Sequence, residues 1–434
     1  MAPNPDEEQE NEAPLLNSTK NSQNSNGASY SGAIFNLSTS AIGAGIMSIP
    51  ATLKVLGVLP AILSVIFVAI LTNFSLQFML KFTSAGNSTT YAGLMEESFG
   101  KIGSVLLQIC VIITNLGAEI IYMIIIADVL SGSVAEGPTH VGIFREWFGN
   151  GWWTSRSFVL LVTTFLILLP LVSLRRVDSL KFTSAISVLL AVVFAVVTAA
   201  LAIFAIWTGE AEMPRLFPQI TGQFSYIKLF TVVPVLVSAF TCHFNVHPIR
   251  AEFRKPQKMQ SVVRVSLALC AVVYIAIGLF CYLLFGENTA SDILVNFNRG
   301  NPDAISSAVV RLSYVLHVML VFPLLNFSLR INLDGLAFPS ATNTTAALRF
   351  TSLTGIILGF VYLAAILIPD IWSVFQFVGS TTAVCIDFIF PGAIVLRDVH
   401  GISDPKDRIL AVLMILIAVV TSAIAITSNL VHLA

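Results

Sequence analysis

Charge is what this chain has least of. Only 11% of its 434 residues are Asp, Glu, Lys or Arg, 56% are apolar, and the mean hydropathy is +0.85. A water-soluble fold of this size cannot hide that much apolar surface, so the solvent it is built for is lipid. A net charge of −1 leaves no basic field for nucleic acid and no polybasic anchor. Cysteine is scarce too. Cys110, Cys242, Cys270, Cys281 and Cys385 all fall inside apolar runs and read as small packing residues, which excludes a disulfide or zinc framework. There is no His-Glu-x-x-His, no Gly-x-Ser-x-Gly and no Walker A string; Gly100-Lys101 lacks the spaced upstream glycine. Neither an enzyme, a cofactor nor a resident metal is expected. A channel's repeated pore loop or charged ring is absent as well. Residues 1–30 contain no apolar stretch, so no signal peptide is expected.

What the chain has is long apolar runs. In lipid, backbone groups must be paired internally, which leaves helices or closed barrels, and long runs select helices. Such runs occupy 31–55, 58–82, 103–131, 157–173, 182–207, 226–250, 261–285, 304–330, 349–368, 371–396 and 408–431. Each suits a hydrocarbon layer of ~30 Å. The expected fold is all-α and polytopic, with about eleven membrane helices. Residues 1–30 are acidic and rich in Asn, Glu, Ser and Pro, and are expected to form a disordered cytosolic tail. Residues 31–434 form the membrane domain. With a cytosolic N-terminus, 16 Lys and Arg fall on the cytosolic side and 6 opposite, with Arg311 inside segment 8. That bias sets the orientation.

Two segments are irregular at corresponding places. Segment 1 carries Gly43 and Gly45 at mid-depth and Pro50 beyond them. Segment 6 carries Ser238, Thr241, His243, Asn245, His247 and Pro248 late in its length. They are the first and the sixth, so the spacing implies a five-helix inverted repeat: 31–207, then 226–396, then an extra helix at 408–431. Repeats of that kind bind substrate where their broken helices meet. The glycines are alternatively small residues for helix packing.

These two segments also carry a resemblance. The string Phe35-Asn36-Leu37-Ser38 with Gly43, Gly45 and Ile46 is similar to the amino acid/auxin permease family. So is Phe240-x-Cys242-His243-x-x-Val246-x-Pro248-Ile249-x-x-Glu252. The chain resembles the solute carrier 38 branch and the vacuolar amino acid transporters of plants and fungi, from about Ser31 to the C-terminus. The resemblance implies a LeuT-like 5+5 arrangement with an amino acid bound between helices 1, 3, 6 and 8. Sodium-coupled members carry Asn where Thr39 stands, and hydroxyls where Val318-Met319-Leu320-Val321 stands. A proton is therefore the expected coupling ion rather than sodium.

The expected substrate-binding positions are Thr39, Ile42, Gly43, Ala44, Gly45, Asn115, Glu119, Tyr122, Ser238 and Thr241. Asn115, Glu119 and Tyr122 are spaced i, i+4, i+7 and so share a helix face. A Glu at mid-depth must face protein or water, and serves either a structural hydrogen bond or a moving proton. Proton-coupling candidates are Glu119, His243 and His317, since histidine titrates near physiological pH. His243 alternatively donates to a carbonyl freed by the break, and His247 is expected to be interfacial. Arg311 and Asp387 are gating candidates, Arg311 being expected to snorkel outward and Asp387 to join an ion pair; Asp128 is expected in a vestibule. Glu10, Glu12, Leu15 and Leu16 form an acidic dileucine pattern, which points to a sorting adaptor and a vacuolar or lysosomal membrane rather than the plasma membrane. The expected partners are a small amino acid and the lipid bilayer, with no nucleic acid and a monomeric state. The function so read is secondary active transport of neutral or cationic amino acids. The alternatives are a permease for another small organic solute, such as auxin or a polyamine, and an amino acid sensor with little flux.

Overall fold

The computed structural model describes residues 27–43, 45–133, 140–174, 178–211, 213–220, 229–299, 304–338, 346–368 and 371–433. Ala44 and the dileucine residues Glu10, Glu12, Leu15 and Leu16 lie outside them. Apart from one two-residue ladder, Gly132–Ser133 with His140–Val141, the regular structure among the described residues is helical.

Every predicted segment is helical. The helices are α1a (Tyr30–Ala41), α1b (Gly45–Leu56), α2 (Val58–Ala85), α3 (Tyr91–Ser131), α4 (Arg156–Val172) and α5 (Lys181–Thr208). Then come α6a (Val232–Phe240), α6b (His243–Glu252), α7 (Met259–Phe285), α8 (Ala304–Ala337), α9 (Ala346–Leu367), α10 (371–397) and α11 (Pro405–Leu433). Nine spans among the described residues are long and apolar enough to cross a membrane, ten when the bent α1 pair counts as one. α4 is shorter; at ~1.5 Å per residue it falls a few ångström below the ~30 Å layer.

Local chemistry sets the ends. The Ser29 hydroxyl accepts the Gly32 N–H at 3.1 Å and starts α1a. Thr90 caps α3 in the same way. Gly100, at φ +67°, turns α3 sharply after Phe99, a left-handed conformation that suits glycine. The continuation through this kink explains why α3 begins twelve residues before its apolar run.

Burial sorts the helices. In α6, 83% of the hydrophobic window is buried, against 22% in α11, whose Leu413, Leu416 and Val420 point outward. Outward apolar side chains are what lipid requires. α8 packs along α3 and α5, α7 along α1b, α2 and α5, and α10 against α2, α3 and α6a. The broken helices 1 and 6 are thus enclosed by α2, α3, α7, α8 and α10.

Two faces close the bundle. On the face where α1a begins, Ala28 pairs with Phe253 just past α6b: Ala28 N–H donates to Glu252 O at 2.8 Å, and Arg254 N–H to Ala28 O at 3.3 Å. Lys81 of α2 binds Asp407 of α11 at 2.7 Å. On the opposite face Arg311 of α8 binds Glu146, in the short helix Ile143–Phe148, at 2.7 Å. Arg311 is 4% exposed, so it does not snorkel outward as expected; a nearby carboxylate holds it inside. Asp128 is paired with Arg156 at the head of α4.

Candidate functional site

Helix 1 breaks at Ile42-Gly43, where its halves meet at 58°. Helix 6 breaks at Thr241-Cys242. A break frees carbonyls on one side and N–H groups on the other. Side chains meet some of these groups. The Tyr274 hydroxyl of α7 lies 2.8 Å from Ala41 O and 2.5 Å from Ala239 O, touching both breaks at once. Tyr314 of α8 donates to Gly43 O at 3.2 Å. Asn245 of α6b donates to the Ser40 hydroxyl at 2.7 Å and ties the two broken helices together.

Between the breaks lies a small cavity. Ser40, Ala41, Gly43 and Gly45 line it from helix 1, and Ser238, Thr241 and Phe244 from helix 6. α3 contributes Thr114, Asn115, Ala118, Ile121 and Tyr122; α10 contributes Phe375, Val378 and Ala383; α8 contributes Leu325. Most of the wall is apolar. Both side-chain polar atoms of Asn115 and the Ser238 hydroxyl are buried without a hydrogen-bond partner among the described residues. Buried polar atoms are normally paired, so an unpaired set in a cavity wall is available to a polar guest.

Of the expected binding positions, Gly43, Gly45, Asn115, Tyr122, Ser238 and Thr241 border this cavity; Thr39, Ile42 and Glu119 do not. Thr39 donates its hydroxyl to Ser184 O of α5 at 3.0 Å. Ile42 is buried toward α8, where His317 Nε2 turns to it without hydrogen-bond geometry. Glu119 faces α8, with Oε2 3.4 Å from Asn326 Nδ2 and Arg330 nearby. Successive residues turn about 100°, so on the face shared with Asn115 and Tyr122 Glu119 falls at the edge toward α8. Neither Gly43 nor Gly45 has a positive φ. They allow close approach: a Cβ on Gly45 would stand 2.7 Å from Ala239 Cβ and 2.8 Å from Ala239 Cα. One on Gly43 would meet the Tyr122 hydroxyl at 1.9 Å.

The proton candidates occupy three separate places. His317 Nδ1 lies 2.8 Å from Ser187 O and the ring stacks on Tyr314. Glu119 belongs to the Asn326–Arg330 cluster, where Arg330 donates to Val172 O and the Thr354 hydroxyl. His243 is fully buried beside Asp387 of α10, with Nδ1 2.7 Å from Oδ1, rather than on a freed carbonyl. Thr241 donates to Asp387 Oδ2 at 2.6 Å. His247 is buried, not interfacial: Thr83 lies 2.8 Å from its Nε2 and Tyr91 stacks on it.

The contribution of α10 was missed by sequence reasoning. Two π-helical stretches, Gly379–Ala383 and Cys385–Ile389, turn its residues away from a regular helical face. The signal in the sequence was Gly379, whose missing side chain lets α10 approach α6a: a Cβ there would stand 2.3 Å from Pro234 O.

Known proteins agree with this architecture. Among solved structures, an Eremococcus coleocola manganese transporter aligns with a TM-score of 0.55 at 12% identity, over 92% of this chain and 86% of its own. A sodium-coupled sialic acid symporter aligns at 0.56 and 13%, over 92% and 89%. At such identities the likeness is one of fold. Amino acid transporter AVT6C of Arabidopsis thaliana is 52% identical over 95% of this chain and 96% of its own length. AVT6B of the same plant is 49% identical over 97% and 94%. A sodium-coupled neutral amino acid symporter 2 of Danio rerio is 27% identical over 85% and 75%. The family profile described as transmembrane amino acid transporter protein matches residues 26–432, and the chain belongs to that family.

Proposed function

We propose that this protein carries neutral or cationic amino acids by alternating access and couples them to protons. The observation that carries the reading is the cavity at the meeting of the two breaks, with the unpartnered Asn115 and Ser238 atoms in its wall. A zwitterion needs partial positive charge for its carboxylate and carbonyls for its ammonium. The N-terminus of α1b and the C-terminus of α6a face each other here, and such helix ends carry those partial charges. The site so proposed lies among helices 1, 3, 6 and 8, with α10 added to the set the resemblance implied. Relatives bearing the name amino acid transporter support the substrate class.

Support for a proton over sodium comes from the crossing of α1a, α5 and α8. The Thr39 hydroxyl is committed to Ser184 O, and Val318 and Val321 are buried apolar side chains. None of these three positions offers a free side-chain oxygen to a bare cation. Sodium coupling appears in the name of the zebrafish relative only at 27% identity. We place the N-terminus in the cytosol from the 16-to-6 charge bias. The dileucine pattern supports a vacuolar or lysosomal membrane and an adaptor. An acidic lumen would then drive amino acids toward the cytosol.

Purified protein in proteoliposomes, offered labelled alanine, glutamine, arginine and lysine under imposed pH or sodium gradients, tests the proposal. Uptake of one or more of them driven by a pH gradient and indifferent to sodium is expected. Uptake that needs sodium overturns the coupling, and no uptake of any of the four overturns the substrate class.

A further inference from the structure

His243 opens α6b, directly after the break, and Asp387 sits in the π-helical stretch of α10. Both side chains are fully buried, and Nδ1 lies 2.7 Å from Oδ1, an ion-pair distance without hydrogen-bond geometry; neither atom has a hydrogen-bond partner among the described residues. At the other edge of the ring, Nε2 lies 2.9 Å from the Ser75 hydroxyl of α2. Ser75 has a single hydrogen and donates it to the main-chain carbonyl of Asp387. Toward His243 it therefore accepts, and Nε2 carries a hydrogen. The contact at Nδ1 then needs a hydrogen of its own. Without one, a neutral imidazole and an ionised carboxylate would set lone pair against lone pair at 2.7 Å.

We infer that the His243–Asp387 contact holds one dissociable proton, that this is the proton coupled to substrate, and that it fastens α6b to α10. The inference rests on the symport reading above and names where the coupling proton sits. With the proton the pair is neutral; without it the pair carries one buried negative charge. A buried, uncompensated charge is costly, so the contact opens when the proton leaves.

The substrate cavity is one hydroxyl away. Thr241 lines it and donates to Asp387 Oδ2 at 2.6 Å, with Val237 O as the alternative acceptor at 3.0 Å. Ionised Asp387 holds the Thr241 hydrogen; protonated Asp387 accepts it more weakly and frees Thr241 to turn to Val237 or to the guest. The other titratable side chains beside Asp387 are Tyr91 of α3, Cys242 of α6 and Cys385 of α10. None of these is a base, so His243 balances the charge. Glu119 and His317 border no part of the cavity.

Asp387→Asn in proteoliposomes tests this, because the amide is neutral, has no proton to release and so mimics the loaded contact. Folding is scored by gel filtration, and transport with the four labelled amino acids named above. Uptake driven by a one-unit pH gradient is expected to lose the about tenfold accumulation that such a gradient sustains at one proton per substrate. Substrate-evoked proton influx should vanish, while exchange at equal pH falls much less. Persistent proton influx with substrate in the variant overturns the assignment and leaves symport standing. Wild-type liposomes that move substrate without protons overturn both. If the Asn variant misfolds, Asp387→Glu decides: it keeps a titratable carboxyl at altered reach. It should shift the pH midpoint of transport, and an unmoved midpoint overturns the assignment.

Discussion

At the scale of single residues, the cavity wall separates positions that hold the fold from positions that wait for a guest. Asn115 has no hydrogen-bond partner to lose. Asn115→Leu should therefore leave thermal stability unchanged or raise it, since an unpaired buried polar group is removed. Transport should fall about tenfold or more if the amide meets substrate, a loss of at least ~1.4 kcal/mol. Thermal melts and uptake on the same preparation check both halves. Gly45 behaves in the opposite way. Its neighbour is the backbone of α6a, which cannot swing aside, whereas the neighbour of Gly43 is the far end of the Tyr122 side chain. Gly45→Ala is expected to cost about 1–3 kcal/mol through overpacking, and Gly43→Ala less. Folded yield in detergent ranks the two, and equal yields would remove the argument. The sequence marked both glycines by their depth in an apolar run. It did not show that close approach, rather than a special backbone angle, is what they supply. Asn115 and Tyr122 were legible because seven residues return a helix to nearly the same face. Glu119 lies outside the cavity because four residues overshoot by about 40°, enough to pass from a cavity edge to a neighbouring helix.

At the scale of elements, an ion pair joins the far-face connections to the bundle. Arg311 on α8 is held by Glu146 in a short helix that begins at Ile143. Glu146→Gln should destabilise the protein by about 1–3 kcal/mol, and Arg311→Met combined with it should cost less than the two separately. Denaturation of the four proteins in one cycle measures the coupling; strict additivity would show that the contact does no joint work. Asp292 lies in the turn before the short helix Ile293–Arg299. Burial pushes its carboxyl up to about 7, against the Leu294 N–H, with the Asp128 carboxylate adding to the rise. The folded state then holds a proton that the unfolded state has released, so stability should decline as pH rises from about 4 to 7. Asp292→Asn should flatten that part of the stability profile, as melts across pH can show. The breaks in segments 1 and 6 were readable from polar and glycine residues stranded at mid-depth. The π-helical stretches of α10 were not, because one extra residue in a turn leaves apolar content unchanged while moving every later side chain around the axis.

At the scale of the whole molecule, apolar run length was enough to lay out the spans, because lipid demands continuous internal pairing. Their mutual arrangement was not, because every outward face is similarly apolar and packing decides which helices lie inside. The proposed orientation has a direct check. Tags at the two ends should be cut by protease from opposite sides of sealed vesicles; cutting from one side would break the odd count of spans. Replacing Leu15 and Leu16 with alanine should move the protein toward the cell surface or Golgi, and unchanged imaging would remove the basis for the vacuolar membrane.

The hydroxyl of Tyr274 links the two broken helices with a single hydrogen. Ala41 O and Ala239 O are both within its reach, and it can satisfy only one of them at a time. The two breaks therefore compete for one hydrogen: whatever draws it to one carbonyl releases the other, so helices 1 and 6 share a single switchable bond through a residue that belongs to neither.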